Sequence, residues 1–311
     1  MTVAVFGTGG VGGYFGARLA EAGEDVTFIA RGAHLQAIRR DGLQVLSVSG
    51  DVSIVPARAT DDPGEVGPVD LVIVGVKAWQ IAEAAAAMKP LVGEDTMVLP
   101  LENGVEAADI LAGVLGREHL LGGLCTIVSM IEEPGTIKHA AIDPPAVRFG
   151  ELDNRRTPRV ERVFRAFERA TGVTPEIPAD IERAIWQKFV FIASWSGIGA
   201  VARAPIGAIR TNPESRELLL EALDEAIAVG RARGVDLPDE VRQGTIAFYD
   251  SLAETGTASM QRDVAAGKPS ELESQTGAIV RMGIDAGVPT PVNSVIYRAL
   301  LPGEAIARGG A

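Results

Sequence analysis

The chain has 311 residues, 47% of them hydrophobic, enough for a large core and, judged from length, about two domains. A formal net charge of -12 argues against a nucleic-acid partner, since phosphate backbones attract basic surfaces, but leaves room for a local basic pocket around a small anion. The lone Cys125 excludes an internal disulfide, and no Cys/His cluster has metal-site spacing, so no metal and a reducing compartment are expected.

The segment TVAVFGTGG opens a strand at the second residue and leaves no room for a signal peptide. The longest apolar runs fall short of the roughly 20 residues of a membrane span. A cytoplasmic protein without membrane attachment is expected. Val3-Ala4-Val5-Phe6 is a continuous apolar run, as in a central parallel strand covered on both faces. A helix follows over about 10–22, then strands at 25–30, 70–76 and 96–101. The stretches 119–125, 136–141 and 146–152 read as further strands of the same series. Strand and helix in alternation predict a Rossmann-type, doubly wound α/β sheet.

After a helix at 158–171 the turn-rich TGVTPEIPAD leads into a helical half. The expected division is a nucleotide-binding domain over 1–177 and an all-helical C-terminal domain over 178–311. Leu219, Leu223, Ala226 and Ile227 have helical spacing within 214–234, and 238–254 and 270–287 read as further helices.

Gly7-Thr8-Gly9-Gly10-Val11-Gly12 carries the G-x-G-x-x-G spacing between a strand and a helix. Gly7 permits the tight turn, Gly9 the approach of a pyrophosphate, and Gly12 the close packing of helix on strand. The helix N-terminus offers N–H groups and a positive dipole end to the anion. An NAD site usually has a carboxylate at the end of the second strand, which reads the ribose 2′-hydroxyl. Here that strand ends Ile29-Ala30-Arg31. Alone, Arg31 is equally a solvated surface charge, but with the acid missing its planar fork favours a 2′-phosphate and hence NADP(H).

One lysine, Lys188, stands in the apolar run IWQKFVFIASWSG at 185–197. It is either a snorkelling side chain, an ion-pair partner of Asp180 or Glu182, or a functional group.

The segments GTGGVGGYFGARLAEAGEDVTFIARG, VKAWQ, ENG, WQKF and the later Ser, Asp and Glu positions, in this order, resemble the ketopantoate reductase (2-dehydropantoate 2-reductase) family. The resemblance runs through nearly the whole chain. It implies a Rossmann domain, a helical domain, an active site in the cleft between them, and NADPH-dependent reduction of a 2-keto acid, as in making pantoate. By the resemblance, Arg31 meets the 2′-phosphate, Lys77 and Ser129 contact the cofactor, and Asn103 contacts both nicotinamide and substrate. Lys188 corresponds to the catalytic lysine, Ser259 to a substrate-binding serine, and Glu271 to a catalytic glutamate near the cofactor. Glu273, two residues on, reads as a solvated neighbour.

An ammonium group stripped of solvent gives up its proton more readily than one in water, which suits a proton donor to a ketone. The family pattern has asparagines on the substrate-facing side one and two turns beyond that lysine. Here Ile192 and Ser196 stand there, and a third falls near Ile206. Ser196 keeps a hydroxyl for substrate, yet the pocket becomes more apolar. The expected partner is therefore a small carbonyl compound, ketopantoate or a less polar relative. A non-catalytic NADP-binding sensor is the rival reading, against which Lys188, Ser259 and Glu271 speak. A homodimer is a further expectation.

Overall fold

Val3-Ala4-Val5-Phe6 lies in the centre of a five-stranded parallel sheet and is buried along its whole length. The computed structural model describes residues 1–310. They divide into two units, Met1–Glu102 with Glu106–Ile181, and the residues from Glu182 onward with Asn103–Val105.

In chain order the N-terminal unit contains β1 (Thr2–Phe6), α1 (Gly10–Glu21), β2 (Asp25–Ile29), α2 (Gly32–Asp41), β3 (Leu43–Ser47), β4 (Val52–Ile54) and β5 (Arg58–Thr60). It continues with β6 (Leu71–Val74), α3 (Ile81–Ala87), β7 (Met97–Pro100), α4 (Ala107–Leu115), β8 (Leu121–Glu133), β9 (Thr136–Glu151), α5 (Pro158–Glu168) and β10 (Thr174–Glu176). The first sheet has the order β5-β2-β1-β6-β7, all parallel. Alternate residues of β1 serve its two faces. Val3 and Val5 pack with Tyr14, Phe15 and Phe28, whereas Ala4 and Phe6 pack with Val72, Val74 and Ile81. Burial on both sides explains why this strand is apolar throughout.

The strands after β7 correct the sequence-based expectation. They do not extend the first sheet but build a second, mixed one, ordered β10-β9-β3-β4 with β8 paired to β9. The stretches 136–141 and 146–152 are one strand, β9, which folds back antiparallel on β8. Strand pairing depends on residues far apart in sequence, so the apolar pattern alone could not assign these strands to a sheet. Helix α1 lies between the two sheets, which accounts for its burial on nearly all sides. A methyl group at Gly16 would stand 2.6 Å from Val5, and one at Gly13 2.8 Å from Ile137.

The C-terminal unit is helical, with α6 (Ile181–Ala202), α7 (Ile206–Thr211), α8 (Pro213–Ala232), α9 (Asp239–Ser251), α10 (Ser259–Ala265), α11 (Thr276–Ala286) and α12 (Pro291–Ala307). Its core joins Trp186, Phe189 and Val190 of α6 to Leu219, Leu223, Ala226 and Ile227 of α8. The helix expected over 270–287 begins only at Thr276, and residues 271–275 form turns. Among the described residues no helix is long and apolar enough to cross a membrane. The architecture is a Rossmann-type α/β unit followed by an all-helical one.

Candidate cofactor site and active site

The glycine loop joins β1 to α1, and each of its glycines meets a different constraint. Gly7 has φ +93°, a backbone conformation that side chains disfavour. A methyl group at Gly12 would stand 2.2 Å from the Gly7 carbonyl oxygen, so only glycine lets the helix approach the loop. At Gly9 a methyl group would meet nothing nearer than the Gly75 carbonyl oxygen at 3.8 Å. Gly9 therefore borders open space. It is also the N-cap of α1, where no side chain caps the helix and no acidic residue occupies the first turn. Uncapped N–H groups beside open space are what a pyrophosphate requires.

Thr8 is buried and its hydroxyl donates to the Ile29 carbonyl at 3.0 Å, tying the loop to the end of β2. Gly10 packs against β8, where a methyl group would stand 2.5 Å from the Ser129 carbonyl oxygen. The Ser129 hydroxyl is buried and has no hydrogen-bond partner among the described residues, which leaves a polar group beside the loop for a ligand. Val11, in the first turn of α1, is half-buried against the core. These features fit a dinucleotide.

Arg31 is the N-cap residue of α2 and is exposed at the end of β2. Its guanidinium lies 3.7 Å from Glu83. Lys77 follows β6, exposed, with its ammonium 5.6 Å from the centre of the Trp79 ring. Sequence reasoning missed His34, on α2. Its Nδ1 accepts the Gly135 N–H at 2.9 Å. Burial lowers its pKa below the ordinary histidine value, with the backbone of Thr8 acting in the opposite direction. Its partner in the chain lies 101 residues away, so no local pattern could reveal it.

In the C-terminal unit Lys188, Ile192 and Ser196 occupy successive turns of α6, on one face. Lys188 is half-buried, whereas its near neighbours in the chain, Trp186 and Phe189, are buried. Among the described residues its ammonium has no hydrogen bond and no ion pair, so neither Asp180 nor Glu182 holds it. Ser196 is fully enclosed, and its hydroxyl reaches both the Ile192 carbonyl and Gln275 Oε1, the latter at 2.8 Å. Its single hydrogen is thus directed at protein acceptors. Ile206 is fully buried in the helical core.

Glu271 is 5% exposed, and its Oε2 accepts two amides, Asn103 Nδ2 at 3.0 Å and Gln275 Nε2 at 3.1 Å. Asn103, Glu271, Gln275 and Ser196 therefore form one hydrogen-bonded chain that ends on the face of α6 bearing Lys188. Gln275 was not foreseen in the sequence, although its spacing of four from Glu271 was the available signal. Ser259 opens α10, half-buried, and does not join this chain. Glu273 turns outward to Arg281 and Tyr297. Among the described residues no group of three or more His, Cys, Asp or Glu could hold a metal ion.

Comparison with known proteins agrees with this geometry. The family model described as ketopantoate reductase PanE/ApbA matches residues 3–154, and the model of that family's C-terminal part matches residues 180–304. The chain belongs to the ketopantoate reductase family. It is 32% identical to an uncharacterized oxidoreductase of Bacillus subtilis, covering 98% of this chain and 99% of that protein. It is 29% identical to a 2-dehydropantoate 2-reductase of Mesorhizobium japonicum, covering 99% of each. The crystal structure of a PanE/ApbA family ketopantoate reductase from Ralstonia eutropha superposes with a TM-score of 0.89 at 31% identity, over 99% of this chain and 100% of that one. As a family member the protein is an oxidoreductase with a Rossmann-type nucleotide fold.

Proposed function

We propose that the protein is an NADPH-dependent reductase of a 2-keto acid or related carbonyl compound, with Lys188 as proton donor. The observation that carries this reading is the chain Asn103–Glu271–Gln275–Ser196, which ends on the helix face bearing a half-buried lysine that is unpaired among the described residues. A bound nicotinamide would supply the hydride to the carbonyl carbon.

The protein's own residues do the rest. The Lys188 ammonium donates a hydrogen bond to the carbonyl oxygen, stabilises negative charge as it develops there, and transfers its proton to give the alcohol. An ion pair would hold the ammonium back, and among the described residues it has none. Glu271 fixes the Asn103 amide by accepting one of its N–H bonds, which leaves the Asn103 oxygen and second N–H to orient nicotinamide and substrate. In the N-terminal unit the uncapped start of α1, the Ser129 hydroxyl, Lys77 and Arg31 would hold the dinucleotide, with Arg31 on the 2′-phosphate.

The test is NADPH oxidation with a panel of 2-keto acids that includes ketopantoate. Turnover with at least one member is expected. Tight NADPH binding without turnover of any carbonyl compound would instead make the protein a nucleotide sensor.

A further inference from the structure

Gln275 is fully buried, and its amide has only one workable orientation. The Glu271 carboxylate accepts and cannot donate, so the Gln275 N–H group must face it, which turns the Gln275 oxygen to the Ser196 hydroxyl. Gln275 is also the N-cap residue of α11, yet its side chain makes no capping bond to that helix. Helix capping therefore does not account for it. Its backbone N–H closes a turn onto the Glu271 carbonyl at 3.0 Å, which sets the two side chains together before α11 begins. Glu271 has no ion pair among the described residues, so two neutral amides are its whole hydrogen-bonded support. A buried carboxylate held this way loses much of its placement when one donor is removed.

We infer that Gln275 is a positioning residue for the reaction, which holds the Glu271 carboxylate against Asn103 and anchors it through Ser196 to the helix that carries Lys188. This rests on the reductase reading above. Its action is indirect: Gln275 fixes Glu271, Glu271 fixes the Asn103 amide, and that amide orients the reacting groups. Loss of Gln275 should therefore lower kcat and leave cofactor affinity alone.

The experiment combines Gln275→Met, which keeps shape and removes the amide, with Glu271→Gln in a double-mutant cycle. Gln275→Met is expected to lower kcat about tenfold with little change in KM for NADPH, and to add nothing in the Glu271→Gln background. Losses that multiply independently, as general loosening of the fold would give, overturn the proposal, as does full turnover by Gln275→Met. If Gln275→Met does not fold, Gln275→Asn withdraws the amide by one methylene and should give the same pattern. A crystal structure of the variant supplies a readout that needs no activity. Glu271 should leave its contact with Asn103, and a carboxylate that stays in place overturns the proposal. A wild-type protein that reduces no carbonyl compound refutes the reductase reading instead, and the position of Glu271 in the variant still decides what Gln275 does.

Discussion

A methyl group on Gly12 would stand 2.2 Å from the carbonyl oxygen of Gly7, whereas one on Gly9 would meet nothing nearer than the Gly75 carbonyl oxygen at 3.8 Å. Two glycines three residues apart are thus required for different reasons, and substitution separates them. Gly12→Ala forces the helix off the loop and should cost about 1–3 kcal/mol of stability or more, along with NADPH binding. Gly9→Ala should cost under about 1 kcal/mol, the difference between glycine and alanine at an N-cap, while still losing nucleotide affinity because the methyl fills the approach to the backbone. Urea unfolding and NADPH titration of both variants check this. Unchanged NADPH affinity in Gly9→Ala would show that the pyrophosphate does not lie there.

Arg31 and Glu83 form an exposed pair 3.7 Å apart, which makes the proposed contact of Arg31 with a 2′-phosphate testable from both partners. A charge-assisted contact to a 2′-phosphate is worth roughly 1.5–3 kcal/mol, so Arg31→Ala should cut the preference for NADPH over NADH by about tenfold or more. On the proposed assignment Glu83 would compete with a 2′-phosphate for the same guanidinium and repel it. Exposed ion pairs contribute at most about 1 kcal/mol, so Glu83→Gln should tighten NADPH binding by up to about fivefold and leave NADH nearly unchanged. Equal dissociation constants for the two cofactors in the unmodified protein would overturn the assignment.

The readable and unreadable parts of the chain differ for physical reasons. β1 and β6 were legible because strands buried on both faces carry unbroken apolar runs. Residues 31–69 gave no usable pattern: α2 is short, and β4 and β5 have only three residues each. The second sheet was hidden because β3 pairs with β9, whose matching residues lie about ninety positions away. In the site, single residues with a motif behind them, such as Asn103 and Glu271, could be named, and the structure brings these two together. Gln275 and His34 have no motif, only partners, and partners appear when the chain folds.

His34 gives a pH dependence whose sign follows from its hydrogen bond. Nδ1 accepts from Gly135 N–H, so the folded ring is neutral, and burial holds its pKa below the unfolded value of 6.5. Its contribution to stability is fully present above pH 6.5 and is lost as pH falls from there through the lowered folded pKa. His34→Leu should lower stability at pH 8 by about 0.5–1.5 kcal/mol, the worth of one hydrogen bond, and should flatten the fall in stability on the acid side of neutrality. The check is the difference in urea midpoint between the two proteins from pH 8 to pH 5. A difference independent of pH would mean that the ring does not titrate in this range.

Lys188 is half-buried and unpaired, so its removal leaves no orphaned carboxylate among the described residues and should cost little stability. Lys188→Ala is expected to lower kcat by about 10²–10⁴-fold, the usual contribution of a general acid, with the NADPH dissociation constant nearly unchanged. Steady-state kinetics beside a fluorescence titration of NADPH separate the two effects. A variant with near-normal turnover would return Lys188 to the status of a snorkelling side chain.

Substrate preference follows from what shares a helix face with Lys188. Ile192, one turn on, offers no hydrogen bond, and the Ser196 hydroxyl, two turns on, is directed at Ile192 and Gln275 within the protein. Ile206 is packed in the core and contributes no polar group. A site that hydrogen-bonds a substrate hydroxyl can reject analogues without it by large factors, but a site lacking such partners gains nothing from the hydroxyl and must desolvate it. A 2-keto acid with a plain alkyl or aryl side chain should therefore show a higher kcat/KM than ketopantoate, by about tenfold for one hydroxyl stripped of water without a partner. Introducing an amide by Ile192→Asn should narrow that gap, since the new side chain stands one turn from Lys188 on the same face. The comparison is made with NADPH saturating and the keto acid varied. If ketopantoate wins clearly in the unmodified protein, its hydroxyl finds partners elsewhere, with Asn103 and Ser259 the first to replace by alanine.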